Sequence, residues 1–243
     1  MSADVSAALL PTYLHPFSRS LRQEPLPHFG TRYGADGVFL PEPGNTVVCH
    51  LAAGSDSERA IVAARNRYFD TPEAKLLAFT PVSSLHMTLF QGIIEYRRRL
   101  PYWPHDVALD TPIDEMTAIF TERLGGFAAG APFRMAVTRA TPTGLALEGA
   151  SAADRAALKD WRERLAEVFG YRHPDHDSYS FHITFAYLIE RFDDAALARW
   201  HPFLDSVVED IRNNAGTIEL RPPAFCSFED MNHFEELRVL ASA

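Results

Sequence analysis

The sequence is poor in cysteine and contains no long apolar run. Its 243 residues include only two cysteines, Cys49 and Cys226, far apart and in apolar surroundings, which favours two buried thiols in a reducing compartment over a disulfide framework. No stretch approaches the ~20 consecutive apolar residues that a membrane-spanning helix needs. The start of the chain lacks the basic segment and the long apolar core of a signal peptide. These absences predict a cytoplasmic protein with no membrane partner.

Positive charge is also scarce. The chain has 23 Lys and Arg against 32 Asp and Glu, a net charge of -9, whereas sequence-independent binding to DNA or RNA depends on many Lys and Arg contacts to phosphates. Bulk nucleic-acid binding is therefore not expected, and any phosphate-bearing ligand must be held locally. With 47% hydrophobic residues, a chain of this length can bury a substantial core without disulfides or metals. The oligomeric state is left open.

Proline and glycine, by contrast, crowd the first 45 residues. They punctuate a chain rather than build regular elements, yet aromatic residues are interspersed among them. We interpret residues 1–45 as an ordered extension wrapped on the body, the alternative being a floppy tail. Arg32 and Tyr33, in a Gly-flanked turn of this extension, could close over a ligand groove as a lid, although a lid is not the favoured interpretation. Residues 46–243 are expected to form a single domain.

Beyond residue 45, strand and helix patterns follow one another in mixed order. Capping signatures at Ser55 and Ser151 begin two helices, and Gly170 ends the second. A helix over 114–124 and one over 193–212, interrupted near Pro202, are also expected. Strands are expected at 46–51, 84–91, 133–139, 144–148 and 179–188, with short runs around 218, 225 and 237. This mixture indicates an α+β fold rather than an alternating parallel α/β fold.

Two of these strands carry the same motif. The segments Ser84-Leu85-His86-Met87-Thr88-Leu89 and Ser180-Phe181-His182-Ile183-Thr184-Phe185 agree at Ser, His and Thr and are apolar at the three intervening positions. Because side chains alternate across a strand, Ser, His and Thr share one face and the apolar residues share the other. A single His-x-Thr triplet is a weak signal, since a lone strand histidine is more often structural than catalytic. The matched pair is a much stronger one.

Two such polar faces, brought together, would place two imidazoles and two hydroxyls in one groove. One imidazole could take a proton from an attacking water or hydroxyl while the other gives a proton to the departing oxygen. The threonine hydroxyls could donate hydrogen bonds to the non-bridging phosphate oxygens and stabilise the charge that develops there. We therefore predict His86 and His182 as catalytic residues and Thr88 and Thr184 as substrate-binding residues. The scheme requires no metal and no cofactor.

The paired motifs resemble the signature motifs of the 2H phosphoesterases, which include the 2′,3′-cyclic nucleotide phosphodiesterases and the so-called 2′-5′ RNA ligases. The stretches Pro43 to Thr46, Ser84 to Phe90, Trp103-Pro104 and Ser180 to Tyr187 are similar to a branch known chiefly as a domain of unknown function. The resemblance implies two pseudo-symmetric lobes within residues 46–243, each with an antiparallel sheet flanked by helices, and an active-site groove between them. The Pro- and Gly-rich extension departs from the smaller members, so substrate specificity does not carry over.

Other residues near the motifs are weaker candidates. Ser84 and Ser180 lie on the two polar faces, and Phe90 continues the first, where its ring could stack on a base or simply pack. We include all three among the substrate-binding candidates. The basic run 97–99 could extend an electropositive path from the first motif toward a phosphate chain. A solvated charge run is the favoured interpretation. The loop 173–177 contains metal-ligand side chains without the spacing of a zinc site, so we interpret it as a polar loop.

Taken together, these patterns predict a metal-independent phosphoesterase that hydrolyses a phosphodiester, most readily a cyclic phosphate of a nucleotide, a sugar or an RNA end. Its expected partner is a small phosphorylated substrate or an RNA end. The alternative from another class is a non-catalytic module that holds a phosphorylated ligand or an RNA terminus. A metal-dependent hydrolase is the runner-up among enzymes. The sequence does not determine which histidine is the acid and which is the base.

Overall fold

The computed structural model describes residues 10–241, which form four helices and nine strands. The predicted α+β class is confirmed. The helices are α1 (Asp56–Phe69), α2 (Ile113–Arg123), α3 (Ala152–Phe169) and α4 (Asp194–Ala215). The strands are β1 (Gly44–His50), β2 (Leu77–Phe79), β3 (His86–Phe90), β4 (Met135–Thr141), β5 (Gly144–Gly149), β6 (Phe181–Thr184), β7 (Ala186–Leu188), β8 (Ala224–Phe228) and β9 (Glu235–Val239).

Two helices begin, and one of them ends, where the capping residues predict. The Ser55 hydroxyl accepts a hydrogen bond from the backbone N–H of Glu58 at 3.0 Å, before α1. Ser151 accepts one from the N–H of Asp154 at 3.2 Å, before α3. Gly170 then ends α3 with a φ of 78°, a left-handed conformation that glycine adopts at little cost. These local signals are confirmed.

The predicted interruption of the last helix is wrong. α4 runs without a break from Asp194 to Ala215 with Pro202 inside it. A proline in a helix interior costs about 3 kcal/mol because it removes a hydrogen bond and crowds the preceding turn. The buried face of α4, which includes Trp200, Leu204 and Val207, packs into the core and outweighs that cost.

The large sheet has seven strands in the order β4-β5-β6-β3-β1-β8-β9, and every neighbouring pair is antiparallel. One motif strand lies in each half: β6 ends the half β4-β5-β6, and β3 begins the half β3-β1-β8-β9. The halves are compatible with the two lobes that were expected. They join side by side through β3 and β6, so the sheet is continuous across the motifs.

The strand expected at 179–188 divides into two. β6 stays in the large sheet, whereas β7 pairs with β2 in a separate two-stranded sheet. The break falls at Phe185, whose side chain is buried in the core and whose N–H donates to the carbonyl of Thr143 at 2.9 Å. The run around Ile218 makes a single bridge to Met135 in place of a strand.

The core lies between the large sheet and the helices. α3 packs against β3 and β5, and α1 packs against α4. Met87 and Ile183, at the centres of the motifs, are fully buried on this side, so alternation sends the motif histidines and threonines to the opposite face. Cys49 and Cys226 are both buried and free, as expected. None of the helices within residues 10–241 is long and apolar enough to cross a membrane.

The extension packs on the body over the part that is described, residues 10–43. The Ser18 hydroxyl donates to a carboxylate oxygen of Asp194 at 2.6 Å, and the Arg19 N–H donates to the carbonyl of Phe192 at 2.9 Å. Further along, the Tyr33 hydroxyl donates to the carbonyl of Leu188 at 2.7 Å. These bonds hold the extension against β7 and the start of α4, beside the motif strands.

Candidate active site

The two motifs lie side by side on adjacent antiparallel strands. Met87 and Ile183, the middle residues of the two His-x-Thr triplets, are directly opposite each other. In an antiparallel pair this register places each motif's histidine opposite the threonine of the other motif. A local two-fold axis between the strands therefore relates one His/Thr set to the other. The sheet brings together the four residues that the sequence singled out.

Both imidazoles are oriented by a backbone carbonyl two residues earlier in the chain. His86 Nδ1 lies 2.7 Å from the Ser84 carbonyl oxygen, and His182 Nδ1 lies 2.9 Å from the Ser180 carbonyl oxygen. A carbonyl only accepts, so each Nδ1 carries a hydrogen. In the neutral ring Nε2 is then the free basic nitrogen, available to accept a proton.

The four side chains line one cavity of about 180 Å³. The walls around them are aromatic and polar, and they come from distant parts of the chain. Tyr179 and Tyr187 are an odd number of residues from His182, so strand alternation alone would turn them away from its face. Both nevertheless reach this cavity. The lining also includes His28, Arg32, Ser84, Gln91, Arg97, Met231 and Phe234.

The ionisable side chains around the cavity are basic. Besides the two motif histidines and the tyrosines, the lining within residues 10–241 includes His28, Arg32 and Arg97, and no Asp or Glu. This contrasts with the net charge of -9 for the whole chain. A concave site lined by one sign of charge attracts ligands of the other sign. The cavity is thus suited to an anion.

The N-terminal extension contributes one wall of the cavity. His28 enters it from a turn in which its own φ is 67°. Arg32 Nε pairs with the Glu42 carboxylate at 2.5 Å, and Glu42 is 1% exposed. Arg32 Nη1 also donates to the Tyr187 hydroxyl at 3.4 Å. The turn proposed as a lid therefore forms a fixed wall through Arg32, while Tyr33 packs behind it against the Tyr187 ring at 5.3 Å.

The two histidines differ in exposure. His182 is exposed, whereas His86 is partly covered by the Phe234 ring, whose centroid lies 4.2 Å from that of the imidazole. Burial lowers the pKa of His86 to about 3; the hydrogen bond to Ser84 opposes this shift, and His50 and His182 add to it. The two histidines therefore have matching hydrogen bonds to backbone carbonyls but differ in their exposure to water.

Both motif serines orient a histidine through the backbone carbonyl. The two serine hydroxyls differ in burial and in hydrogen bonding. Ser84 is 3% exposed, and its hydroxyl donates to the Met231 carbonyl at 2.9 Å. This bond fixes the β8–β9 turn, which also presents Phe234 to the cavity. Ser180 is exposed and borders a separate surface groove. The structure thus places neither serine hydroxyl as a free donor inside the candidate site.

The serines provide a matched pair for a stability test. Ser84→Ala removes the donor to a buried carbonyl, so we expect the free energy of unfolding to fall by about 1–3 kcal/mol. Ser180→Ala is the control, and we expect a change within about 0.5 kcal/mol because its side chain is exposed. Urea titration of both variants measures the difference. Equal stabilities would contradict the structural role given to the Ser84 hydroxyl.

Phe90 does not lie on the polar face, so that prediction is wrong. In the pairing of β1 with β3, Val47 is opposite Phe90 and Val48 is opposite Thr88, which leaves Leu89 as an extra residue on β3. Such a bulge reverses the alternation of side chains. Phe90 is consequently 2% exposed in the core, where its ring contacts those of Phe169 and Tyr171. It is not available to stack on a base.

The loop at 173–177 forms part of the one group of potential metal ligands found within residues 10–241. Ligand atoms of Glu163, His176 and Asp177 lie within 4.8 Å of one another. The Arg172 guanidinium bonds to Glu163 and lies 3.8 Å from Asp177. A positive charge is therefore already present between the two carboxylates, and the group lies outside the cavity of the two motifs.

Comparison with known proteins relates the chain to one named family and to one crystal structure. The profile of a family named 2H-phosphodiest, described as a domain of unknown function (DUF1868), matches residues 32–146, which include the first motif. The crystal structure of the conserved protein of unknown function ATU0111 from Agrobacterium tumefaciens strain C58 is similar over 96% of this chain and 100% of its own, with 52% sequence identity and a TM-score of 0.94. A search of curated proteins finds no match.

Two His-x-Thr strands paired in one sheet define the 2H class of phosphoesterases, as the resemblance of the motifs implied. The chain belongs to the 2H-phosphodiest family, DUF1868, within that superfamily.

Proposed function

We propose that the protein is a metal-independent phosphodiesterase that opens a cyclic phosphate on a nucleotide, a sugar derivative or an RNA end. The observation that carries this proposal is the antiparallel pairing of the two motifs, with each Nδ1 bound to a carbonyl. Two imidazoles and two hydroxyls then share one cavity whose lining within residues 10–241 contains no Asp or Glu. This set is what an in-line displacement at phosphorus requires: a base, an acid and donors to the charged oxygens.

In the proposed reaction the threonines hold the phosphate and the histidines move two protons. The hydroxyls of Thr88 and Thr184 donate to the non-bridging oxygens. His86 Nε2 accepts a proton from water as the water oxygen bonds to phosphorus. The bond from phosphorus to the leaving oxygen breaks, and that oxygen takes the proton of His182 Nε2. The products are a phosphomonoester and a free hydroxyl, and the histidines have exchanged protonation states.

The roles of base and acid follow from the different exposure of the two rings. A partly covered imidazole is poorly solvated as a cation, and burial lowers the pKa of His86, so His86 is neutral and ready to accept a proton. His182 is open to water, which solvates its protonated form. We therefore assign the base to His86 and the acid to His182.

Turnover in the presence of a chelator tests the proposal. A panel of 2′,3′-cyclic, 3′,5′-cyclic and sugar 1″,2″-cyclic phosphates is incubated with protein that has been dialysed against EDTA. Hydrolysis of at least one member is expected. Activity that disappears in chelator and returns with Zn²⁺ or Mn²⁺ would refute the metal-independent scheme and direct attention to Glu163, His176 and Asp177. Binding without turnover across the panel would indicate a non-catalytic module.

Loss of a threonine hydroxyl should slow the reaction less than loss of a histidine. Thr88→Val and Thr184→Val keep the β-branched shape and remove only the donor, so we expect kcat/KM to fall by about 10- to 100-fold, the effect of one charge-assisted hydrogen bond. Thr138→Val, on the exposed side of β4 and outside the cavity, is the control. Unchanged steady-state kinetics in either motif variant would remove that threonine from the proposed mechanism.

A further inference from the structure

Arg97 reaches the cavity through a bend that follows the first motif. The chain leaves β3 and passes Gly92, where an added Cβ would lie 1.7 Å from the Asn45 carbonyl oxygen. Only glycine permits so close an approach of two backbone segments. A short 3-10 turn, Glu95–Arg97, follows. Arg97, the first of the three basic residues at 97–99, lies on this turn and lines the same cavity as the motifs. A run of arginines that was simply solvated would not place one of its members there.

The three arginines of the run have different surroundings. Arg98 is paired with the Glu95 carboxylate through two hydrogen bonds, at 3.0 and 2.6 Å. Arg99 is exposed. Arg97 is partly buried, has no carboxylate within salt-bridge distance, and its buried Nε has no hydrogen-bond partner among residues 10–241. Its Nη2 donates to the Gly92 carbonyl at 3.3 Å.

Neighbouring groups leave the charge of Arg97 uncompensated. Among residues 10–241, the carboxylate that acts on Arg97 is Glu42, which is already paired with Arg32 at 2.5 Å. His173 is 4% exposed and stays neutral, because burial and then Arg97 lower its pKa to about 3. Gln91 lines the cavity with a buried side-chain oxygen that has no partner within the described chain. Its amide can turn to offer N–H donors instead.

Arg97 is displaced along the strand from the motif threonine. Its Nη2 contacts the carbonyl of Gly92, which is four residues beyond Thr88. Four residues of extended chain span at most about 13 Å. The guanidinium is therefore held at Gly92, which follows Thr88 in the chain on the side away from His86. Because Arg97 and the motif threonines line the same cavity, one elongated ligand can present one anionic group to each.

We propose that Arg97 is a second anion subsite, which binds a phosphate monoester carried by the same substrate whose cyclic phosphate lies on the two motifs. The substrate class is accordingly a cyclic phosphodiester with an additional terminal phosphate. A guanidinium matches phosphate geometry, and a partly desolvated cation without a carboxylate partner is stabilised most by a ligand that supplies the missing negative charge. This inference rests on the proposed function for the identity of the first phosphate.

The subsite itself can be tested without turnover. Crystals of the full chain are soaked in selenate, a tetrahedral dianion that selenium anomalous scattering locates. We expect two selenate ions in the cavity, one at the motif threonines and one at Arg97. Arg97→Met should remove only the second ion. Arg99→Met is the matched control, because Arg97 and Arg99 lie 4.9 and 5.4 Å from the same Tyr102 ring, and it should retain both ions.

Calorimetric titration then tests whether the subsite takes a substrate phosphate. The probes are adenosine 2′-monophosphate, a product of cyclic-phosphate opening, and adenosine 2′,5′-bisphosphate. The wild-type protein and Arg99→Met should bind the bisphosphate about 10- to 100-fold more tightly, and Arg97→Met should abolish the preference.

Three results would overturn the inference: no selenate at Arg97, a second selenate that persists in Arg97→Met and is therefore an adventitious ion only, or equal affinities of wild-type protein for the two nucleotides. Hydrolysis of cyclic phosphates together with any of these would leave the proposed function intact. Conversely, two selenate sites and a bisphosphate preference without hydrolysis of any cyclic phosphate would refute the proposed reaction and keep the subsite.

Discussion

Replacing His86 or His182 with alanine is expected to lower kcat by about two to four orders of magnitude, the usual effect of losing a positioned acid or base. Both side chains face the cavity, so the fold should persist. His86→Gln and His182→Gln are useful second variants, because they keep more of the side-chain volume beside Phe234 and Tyr179. Circular dichroism and thermal unfolding identify any variant that fails for structural reasons.

The choice of leaving group separates the two roles. A substrate with a p-nitrophenolate leaving group needs little help from an acid, because the departing oxygen is stable without a proton. His182→Ala should therefore recover much of its activity on such a phosphodiester, whereas His86→Ala should remain slow on both kinds of substrate. The opposite pattern would exchange the assignments of acid and base. Near-wild-type turnover by either variant on an alkoxide-leaving substrate would refute the two-histidine mechanism.

The double variant should be little slower than the slower single variant. Residues that act in one concerted transfer are strongly non-additive, since removal of either partner already disables the step. Multiplicative losses would instead indicate that the two histidines contribute independently, for example by binding the phosphate as two separate cations.

The features that could be predicted from the sequence are those fixed by neighbours in the chain. The caps at Ser55 and Ser151 form because a hydroxyl meets an N–H three residues away. The two faces of each motif follow from strand alternation, which holds from His86 to Thr88 and through β6. The α+β class followed from the order of these local patterns. None of these features needs a distant contact to be specified.

The features that were missed depend on distant contacts. The bulge that buries Phe90 is set by the pairing of β3 with β1, and no composition signal marks it. The wall formed by His28 and Arg32 depends on how the extension packs beside β7. Arg97 is one of three consecutive arginines, and only its position after the bend at Gly92 distinguishes it from its neighbours. A basic run beside a motif was the one available signal.

We expect kcat/KM to depend on pH less steeply on the acid side than the histidine motifs alone predict. The sequence predicts a bell with both limbs in the histidine range, because one imidazole must be neutral and the other protonated. In the structure, burial lowers the pKa of His86 to about 3. The base then stays neutral as the pH falls, so activity should persist from neutral pH down to pH 4.5. A base with the ordinary histidine pKa of about 6.5 would lose about 100-fold there.

The groups that face His86 act in the same direction or are already paired. His50 on β1 lies 6.1 Å from it between ring centroids and is bound to Glu236 at 3.0 Å, and His182 on β6 lowers the His86 pKa further when it is protonated. The scheme also requires a proton on the acid, so a second limb is expected on the alkaline side of the profile. The pKa values that these two limbs report are apparent values of the coupled histidine pair, not of either residue alone.

Substitution of Phe234 should shift the acid limb of the pH profile. Its ring covers the His86 imidazole at 4.2 Å, so Phe234→Ala should admit water, stabilise the protonated ring and move the acid limb toward the ordinary histidine range. Phe69→Ala, at an exposed aromatic outside the cavity, should leave the limb in place. Initial rates at low substrate concentration from pH 4 to 9, with circular dichroism at each pH, measure both. An acid limb between pH 6 and 7 in the wild-type protein, or one that Phe234→Ala does not move, would contradict the assignment of His86 as the buried base.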